Sequence, residues 1–479
     1  MAGRDHGEAE RNAGGGVPAT LDPPDSVLEI AARLEGAGFE TWCVGGAVRD
    51  ALAGHPHSDW DLATAATPEQ VMHLFRRRTI PVGVAHGTVG VLDPAGVMHE
   101  VTTFRRDIRT DGRHAEVEFG ASLDEDLARR DFTVNAIAYS PSRRVLHDPF
   151  DGRGDLRRHV LRAVGTPADR MREDRLRALR ALRFAARFDF EIDPATWDAI
   201  VASAAHLSRL SAERVKEELT KTMVQVARPS RAVALWRDSG ALAALIPGLA
   251  ALDAVTVASI DCLPQPGRSI DGGAPGAARA TARADARRLA RLAALFLAVA
   301  PDDARQALKA LRFSNADAEW IASLAAGWQA VGPEIERALR ASGGAVTDGA
   351  IRQWVAAVGR TRIASLLRIA SARWGALRAT GAPAPVPQSI AALYRRAVTS
   401  AYRDAVNLAD LAIDGDDLIR AGIAPGRQIG EILRDLLAAV LADPAQNTRA
   451  HLLALAARQV ARTGERRDGG IGTAGGAAE

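Results

Sequence analysis

The feature that most restricts the architecture is a change in hydrophobic periodicity near residue 155. Before it, segments of period two alternate with segments of period 3.6; after it, only three- and four-residue spacing remains. VLEIAARLEGAG (27–38) predicts a helix, TWCVGG (41–46) a short buried strand closed by a glycine turn, and AVRDALAG (47–54) the helix that follows. DWDLAT (59–64), HGTVGVLD (86–93) and MHEVTTF (98–104) predict three more strands. Together these make a small mixed sheet with helices packed on it. Downstream, RLRALRALRFAARF (175–188), WDAIVASAAHL (197–207), AERVKEELTKTMVQV (212–226) and RLARLAALFLAVA (288–300) all carry helical spacing. The expected class is α+β, a small-sheet head followed by a long all-α neck, body and tail.

At 479 residues the chain is too long for one core, so several domains are expected. Composition sets the boundaries. Residues 1–24 read as a disordered arm, 25–152 as the head and 153–261 as a first helical domain. The Pro- and Gly-rich 262–284 reads as a linker or loop, 285–463 as the helical body and tail, and 464–479 as a disordered tail. A second Pro-rich signal, ATGAPAPVPQ, falls at 379–388. No apolar run is long enough to span a bilayer and the N-terminus lacks an apolar signal core, so a cytoplasmic protein without membrane contact is expected. Cys43 and Cys262 have no spacing that suggests a disulfide framework or a thiolate metal site and read as free thiols. Of 61 basic residues only Lys216, Lys221 and Lys309 are lysines. Genomic base composition accounts for such a bias, and phosphate recognition by forked guanidinium groups is compatible with it.

The chemistry concentrates in GGAVRD (45–50) and DWDLAT (59–64). Gly45 and Gly46 end a strand and open a helix, a turn that lets backbone N–H groups approach a phosphate, with Arg49 in reach of the same anion. Asp59 and Asp61, two apart on a strand, share a face and repel each other. A divalent cation resolves that repulsion, and oxygen-only ligands favour Mg²⁺. Paired ions of this kind clamp the attacking and leaving oxygens in phosphoryl transfer. Glu100, on a neighbouring strand and on one face with Thr102, is the third candidate carboxylate. The bland reading of the Asp pair, a solvated edge strand, loses weight because the pair follows the glycine turn so closely. His55 and His57 read as surface-loop residues rather than metal ligands.

GGAVRD followed by DWDLAT resembles the nucleotide-binding head of the DNA polymerase β-like superfamily, and more narrowly the bacterial (class II) tRNA CCA-adding enzymes and the related bacterial poly(A) polymerases. LARRDFTVNAIAY (127–139) is similar to the family's second motif, HDPFDG (147–152) to the turn joining head and neck, REDRLRALRALRFAARF (172–188) to the neck helix, and SAERVKEELTK (211–221) to the next motif. The resemblance implies that Arg129, Arg130, Asp131 and Asn135 hold ribose and triphosphate, that tRNA, CTP and ATP are the partners, and that 153–261 is a neck and RNA-binding domain. Trp60 stands where the family often has Ile, an apolar exchange.

Helical spacing puts Leu179, Leu182 and Ala186 on one stripe of the neck and Arg177, Arg180, Arg183 and Arg187 on another. Asp174, three residues before Arg177, is expected beside it on the helix surface. A carboxylate accepts from an exocyclic amine and a guanidinium donates to a ring nitrogen, which suits cytosine and adenine but not uracil or guanine. Asp174 and Arg177 thus match the family's base-selecting positions, with Arg180 beside them; a plain salt bridge is the alternative. Residues 105–119 read as a mobile polar loop whose DGRH (111–114) resembles the loop that complete CCA-adding enzymes use in switching from C to A.

Beyond His206 the only histidine is His451, which leaves no ligands for the phosphohydrolase domain that many family members carry. The expected activity is template-independent CCA addition. Poly(A) synthesis, partial CCA addition and a catalytically silent RNA-binding role are the alternatives. Nothing in the sequence sets the oligomeric state.

Overall fold

The computed structural model describes residues 20–55, 59–110, 115–263, 277–341 and 346–468. Two compact units divide between Ala250 and Ala251. The expected head, 25–152, lies within the first unit, whereas the expected neck and RNA-binding domain, 153–261, runs eleven residues past its end.

The first unit opens with α1 (Asp25–Gly36), whose Val27, Ile30, Ala31 and Leu34 are buried at helical spacing. β1 (Thr41–Val44) leads into α2 (Gly46–Leu52), and β2 (Asp61–Thr64) into α3 (Pro68–Phe75). Thr67 and Gln70 form a capping box that starts α3. β3 (Thr79–Gly83), β4 (Thr88–Leu92) and β5 (Met98–Thr103) follow, then the hairpin β6 (Arg105–Thr110) and β7 (Ala115–Phe119). After α4 (Leu123–Ala128) come β8 (Ala138–Ser140) and β9 (Val145–His147). The main sheet has seven strands in the order β3-β4-β5-β2-β1-β8-β9. β2 and β5 pair in parallel, and the other adjacent pairs are antiparallel. All four residues of the interior strand β1 are buried. Trp42, Val44, Ala63, Phe104, Leu123, Leu127, Ala136 and Ala138 form a core that joins α4 to the sheet. The neck comprises α5 (Gly152–Arg158), α6 (Pro167–Glu173), α7 (Leu176–Phe188), α8 (Pro194–Ser203) and α9 (Ala212–Gln225).

The structure alters several expectations. β3, β8 and β9 were not legible: β3 is largely exposed and interrupted by Pro81, and β8 and β9 have three residues each. The segment 105–119, expected as a mobile loop, is itself two paired strands in its described residues, with Arg105 opposite Phe119 and the Arg106–Glu118 ion pair at 2.7 Å. Its DGRH tip at 111–114 lies outside the described residues. The single neck helix expected over 172–188 is two helices, because Asp174 adopts an extended conformation (φ −143°, ψ 106°) between α6 and α7. Part of the expected arm is packed: Leu21 is buried and its carbonyl accepts from the Tyr139 hydroxyl at 2.9 Å.

The regular elements described in the second unit are all helices, from Ala254–Ser259 to Arg449–Asp468. Residues 277–284, expected in a linker, begin the helix Ala277–Phe296, and 464–468, expected in a disordered tail, end the last helix. The Pro-rich signal at 379–388 marks the connection between the helices Ile363–Ala379 and Pro387–Arg403. Leu411, Ile413, Leu418, Ile432, Leu436, Val440 and Leu452 form a separate core at the C-terminal end. Among the described residues no helix is long and apolar enough to cross a membrane.

Candidate active site

At the end of β1, Gly45 turns the chain with φ 77° and ψ −136°, a conformation open to glycine alone without strain. A Cβ there would lie 3.3 Å from Nη1 of Arg130 and 3.7 Å from Oδ2 of Asp61. The bare backbone thus approaches a cation and an anion together. Gly46 is less constrained, since a Cβ would make only ordinary contact with Arg49 at 3.6 Å.

β2 begins at Asp61, so Asp59 precedes the strand rather than lying in it. The alternation nevertheless runs through both: Asp59 is exposed, Trp60 buried, Asp61 half-buried and Leu62 buried. Leu62 pairs in parallel with Val101, which sets Asp61 beside Glu100. Burial pushes the Asp61 carboxyl up to about 6, reinforced by the charges of Glu100 and Asp59 and opposed by Arg130. Among the described residues no group of His, Cys, Asp or Glu closes into a cage of three or more ligands. One or two carboxylates completed by water and substrate phosphate are, however, the usual way Mg²⁺ is held. The crowded, oxygen-only donor set fits that ion.

A chain of charged contacts ties this centre to the neck. Asp131 accepts from Asn135 Nδ2 at 2.8 Å and from Arg180 Nε at 2.9 Å. Burial raises the Asp131 carboxyl, but Arg180 and Asn135 outweigh it and hold the group below the usual carboxylate range. Asn135 Oδ1 accepts from Arg49 Nη1 at 2.6 Å. Arg49 also pairs with Asp50 at 2.6 Å and lies over the rings of Phe184 and Phe188, at 5.0 and 4.5 Å. Asp50 takes Arg187 at 3.2 Å. Arg49, expected to face an anion directly, is therefore buried and bound within the protein. Arg129 and Arg130 share the buried Asp126 at 3.0 and 3.1 Å. Arg130 Nε is buried with no partner, a donor left for a ligand beside the glycine turn.

The neck arginines are not a solvated stripe. Arg177 donates to Glu173 at 2.8 Å and to the Arg129 carbonyl at 2.9 Å. Arg183 is buried and paired with Glu218 at 2.7 Å. The expected Asp174–Arg177 neighbour pair on one helix does not form, because the helix breaks at Asp174; that carboxylate instead pairs with Arg214 at 2.8 Å.

Every site residue expected from the sequence except Asp59 lines one cleft of about 550 Å³. Basic side chains outnumber acidic ones nine to four along it. The cleft adds Thr88, Arg105, Phe184, Lys221 and Gln225, which sequence reasoning missed as site residues. Lys221 and Gln225 lie on α9, the helix begun by SAERVKEELTK, so the motif held the signal.

Residues 41–162 match the family model described as poly A polymerase head domain. Residues 189–252 match the probable RNA and SrmB-binding site of polymerase A, and 398–456 a putative tRNA nucleotidyltransferase domain 2. The CCA-adding enzyme of Limosilactobacillus fermentum is 44% identical over 213 residues, covering 43% of this chain and 51% of that protein. The CCA-adding enzyme of Geobacillus stearothermophilus is 45% identical over 233 residues, covering 48% and 56%. The chain thus spans about half the length of these relatives at that similarity. The crystal structure of the Bacillus stearothermophilus CCA-adding enzyme in complex with CTP superposes with a TM-score of 0.66 at 31% identity, covering 93% of this chain and 100% of that one. A Thermotoga maritima CCA-adding enzyme complexed with tRNA shares the fold, with a TM-score of 0.59 at 19% identity over 92% of this chain and 97% of that one.

Proposed function

The chain belongs to the bacterial CCA-adding enzyme family, and we propose that it adds CCA to the 3′ end of tRNA without a nucleic acid template, using CTP and ATP and releasing pyrophosphate. The observation that carries the reading is that the Asp61–Glu100 carboxylates, the Gly45 turn with Arg130, and the Asp174 and Arg177 side chains all open into one cleft. A nucleoside triphosphate presents a metal-binding phosphate chain and a base within one molecule's length, which suits carboxylates, phosphate donors and a polar base-facing pair in one cleft.

The contacts support the following division of labour. Asp59 and Asp61, with Glu100 as third carboxylate, would hold Mg²⁺, which when bound would supply positive charge against the phosphate oxygens and the attacking hydroxyl. Arg130 and Arg129, fixed by Asp126, bind the triphosphate. Asp131 and Asn135, clamped between Arg180 and Arg49, present their remaining polar edges to the ribose. Asp174 accepts the exocyclic amine of C or A while Arg177 donates to the adjacent ring nitrogen. Arg214, paired with Asp174, fixes the carboxylate that the helix break has freed. The RNA 3′-hydroxyl then attacks the α-phosphate in line and pyrophosphate leaves. The DGRH resemblance supports complete rather than partial addition, and the cytoplasm supplies tRNA and both nucleotides.

The test uses tRNA lacking its last three nucleotides, each labelled nucleotide separately and all together, with Mg²⁺ or with chelator. Two C and then one A, with U and G excluded and no product in chelator, are expected. A long A tail on unrelated RNA identifies a poly(A) polymerase instead, and tight tRNA binding without incorporation identifies a silent RNA-binding protein.

A further inference from the structure

The face of the sheet that carries Glu100 does not end at the cleft. Gly90 on β4 pairs with Glu100 on β5, so the two residues face the same side, and so do Thr88 and Thr102, which line the cleft. Beyond Glu100 that side becomes apolar. A Cβ on Gly90 would lie 2.6 Å from Met98 Sδ and 3.0 Å from Val82 Cγ2. Met98 and Val82 therefore meet over the bare backbone of Gly90, where any side chain would push them apart. Met98 is 43% exposed, Val82 47% and the adjacent Ile80 41%. Arg76 and Arg77, directly before β3, are exposed as well.

An exposed apolar strip with cations at one end and catalytic carboxylates at the other needs an occupant. In-line transfer requires the attacking hydroxyl opposite the leaving pyrophosphate. Arg130 lies against Gly45 at the end of β1, and Arg49 on α2 lies against Phe184 and Phe188 of the neck, which leaves the opposite approach to Asp61, across β5, β4 and β3, for the attacking strand. We propose that Val82 and Met98, with Ile80, form the platform on which the last nucleotides of the acceptor RNA rest, and that Arg76 and Arg77 take the phosphates behind them. Aliphatic and thioether surface packs against ribose and base faces without reading sequence. That suits a site that must accept an end changing by one nucleotide per cycle. Strand addition by another protein fits less well: Pro81 in the middle of β3 removes a backbone donor from the free edge.

This rests on the nucleotide-transfer reading above, and the experiment separates the two. Full-length V82S/M98S and R76E/R77E are compared with the parent chain for CTP incorporation into tRNA lacking its last three nucleotides. Both should raise KM for tRNA about tenfold, while KM for CTP and kcat at saturating tRNA stay within about twofold. In the unaltered protein, tRNA carrying a diazirine on its 3′-terminal nucleotide should crosslink to peptides within 76–98. Loss of the parent chain's own incorporation overturns the nucleotide-transfer reading. An active parent with unchanged tRNA KM in both variants, or crosslinks confined to other segments, overturns the platform alone. The crosslink does not depend on how the variants fold.

Discussion

Asp61, a proposed metal-binding residue, is held at a cost to stability. Its carboxyl is pushed up to about 6 by burial first and then by neighbouring negative charge. Ionising it in the folded protein therefore opposes folding. That cost is absent below about pH 4, where the group is protonated in both states, grows as pH rises to about 6, and is constant above. Asp61→Asn in metal-free protein should melt several degrees higher than the parent at pH 7.5, the cost being at most roughly 2–3 kcal/mol, and should lose the advantage at pH 4. The same variant should abolish nucleotide incorporation. Melting curves at the two pH values check the first outcome; an equal or lower Tm at pH 7.5 removes the claim of electrostatic crowding. Asp174 makes a second residue-scale prediction. On the proposed base-reading role, Asp174→Ala removes the acceptor for the amine of C or A and the repulsion against the carbonyl of U or G, so discrimination should fall by roughly 10- to 150-fold, the worth of one charge-assisted bond. Arg214→Ala should move the ratios the same way by less, because it releases the carboxylate without removing it. Single-nucleotide kinetics with all four triphosphates decide this, and a uniform slowing with unchanged ratios makes Asp174 structural.

At the scale of elements, the junction of α7 and α9 carries an unusual load. Arg183 and Glu218 are both buried and bonded at 2.7 Å, and Arg183 also donates to Gln225. Removing one partner strands the other charge, which costs roughly 3–5 kcal/mol, whereas removing both costs much less. In urea unfolding, Arg183→Met and Glu218→Gln should each be strongly destabilising and the double variant closer to the parent. Additive losses would show that the pair is not coupled. α7 was legible from its spacing, but where it starts was not. Asp174 has the helical neighbours of any other residue in REDRLRALRALRF, and only the packing of α6 against α7 and α8, with Arg214 supplied from α9, breaks the helix there. The hairpin at 105–119 shows the reverse case: polar residues suggested a loop, and cross-strand pairs such as Arg106–Glu118 made strands of its flanks.

At the scale of the whole molecule, the arginine bias acquires a division of roles. Many arginines of the first unit are spent on internal carboxylates, as Arg49, Arg180 and Arg183 are, so the total says little about RNA. The second unit includes the stretch similar to a tRNA nucleotidyltransferase domain, on a core built from Leu418, Ile432, Leu436 and Leu452. If exposed arginines bind tRNA phosphates, log K should fall with log salt by about 0.7–0.9 per phosphate contact. A filter-binding series from low to physiological salt measures the slope, and a flat series rules out an arginine-lined docking surface.

Taken by itself, the sequence determined the change from sheet to helices, the glycine turn before Asp61, and twelve of the twenty-one residues that line the cleft, because each depends on local spacing or on a contiguous motif. Tertiary structure decided the rest. It moved Asp59 just outside β2, turned Arg49 inward to Asn135 and Asp50, and gave Asp174 to Arg214 instead of Arg177. A guanidinium's partner is whichever carboxylate or carbonyl the packed chain brings within about 3 Å, and partners such as Arg49 and Asn135 stand 86 residues apart in sequence. Period and motif carry no record of such distances; packing alone sets them.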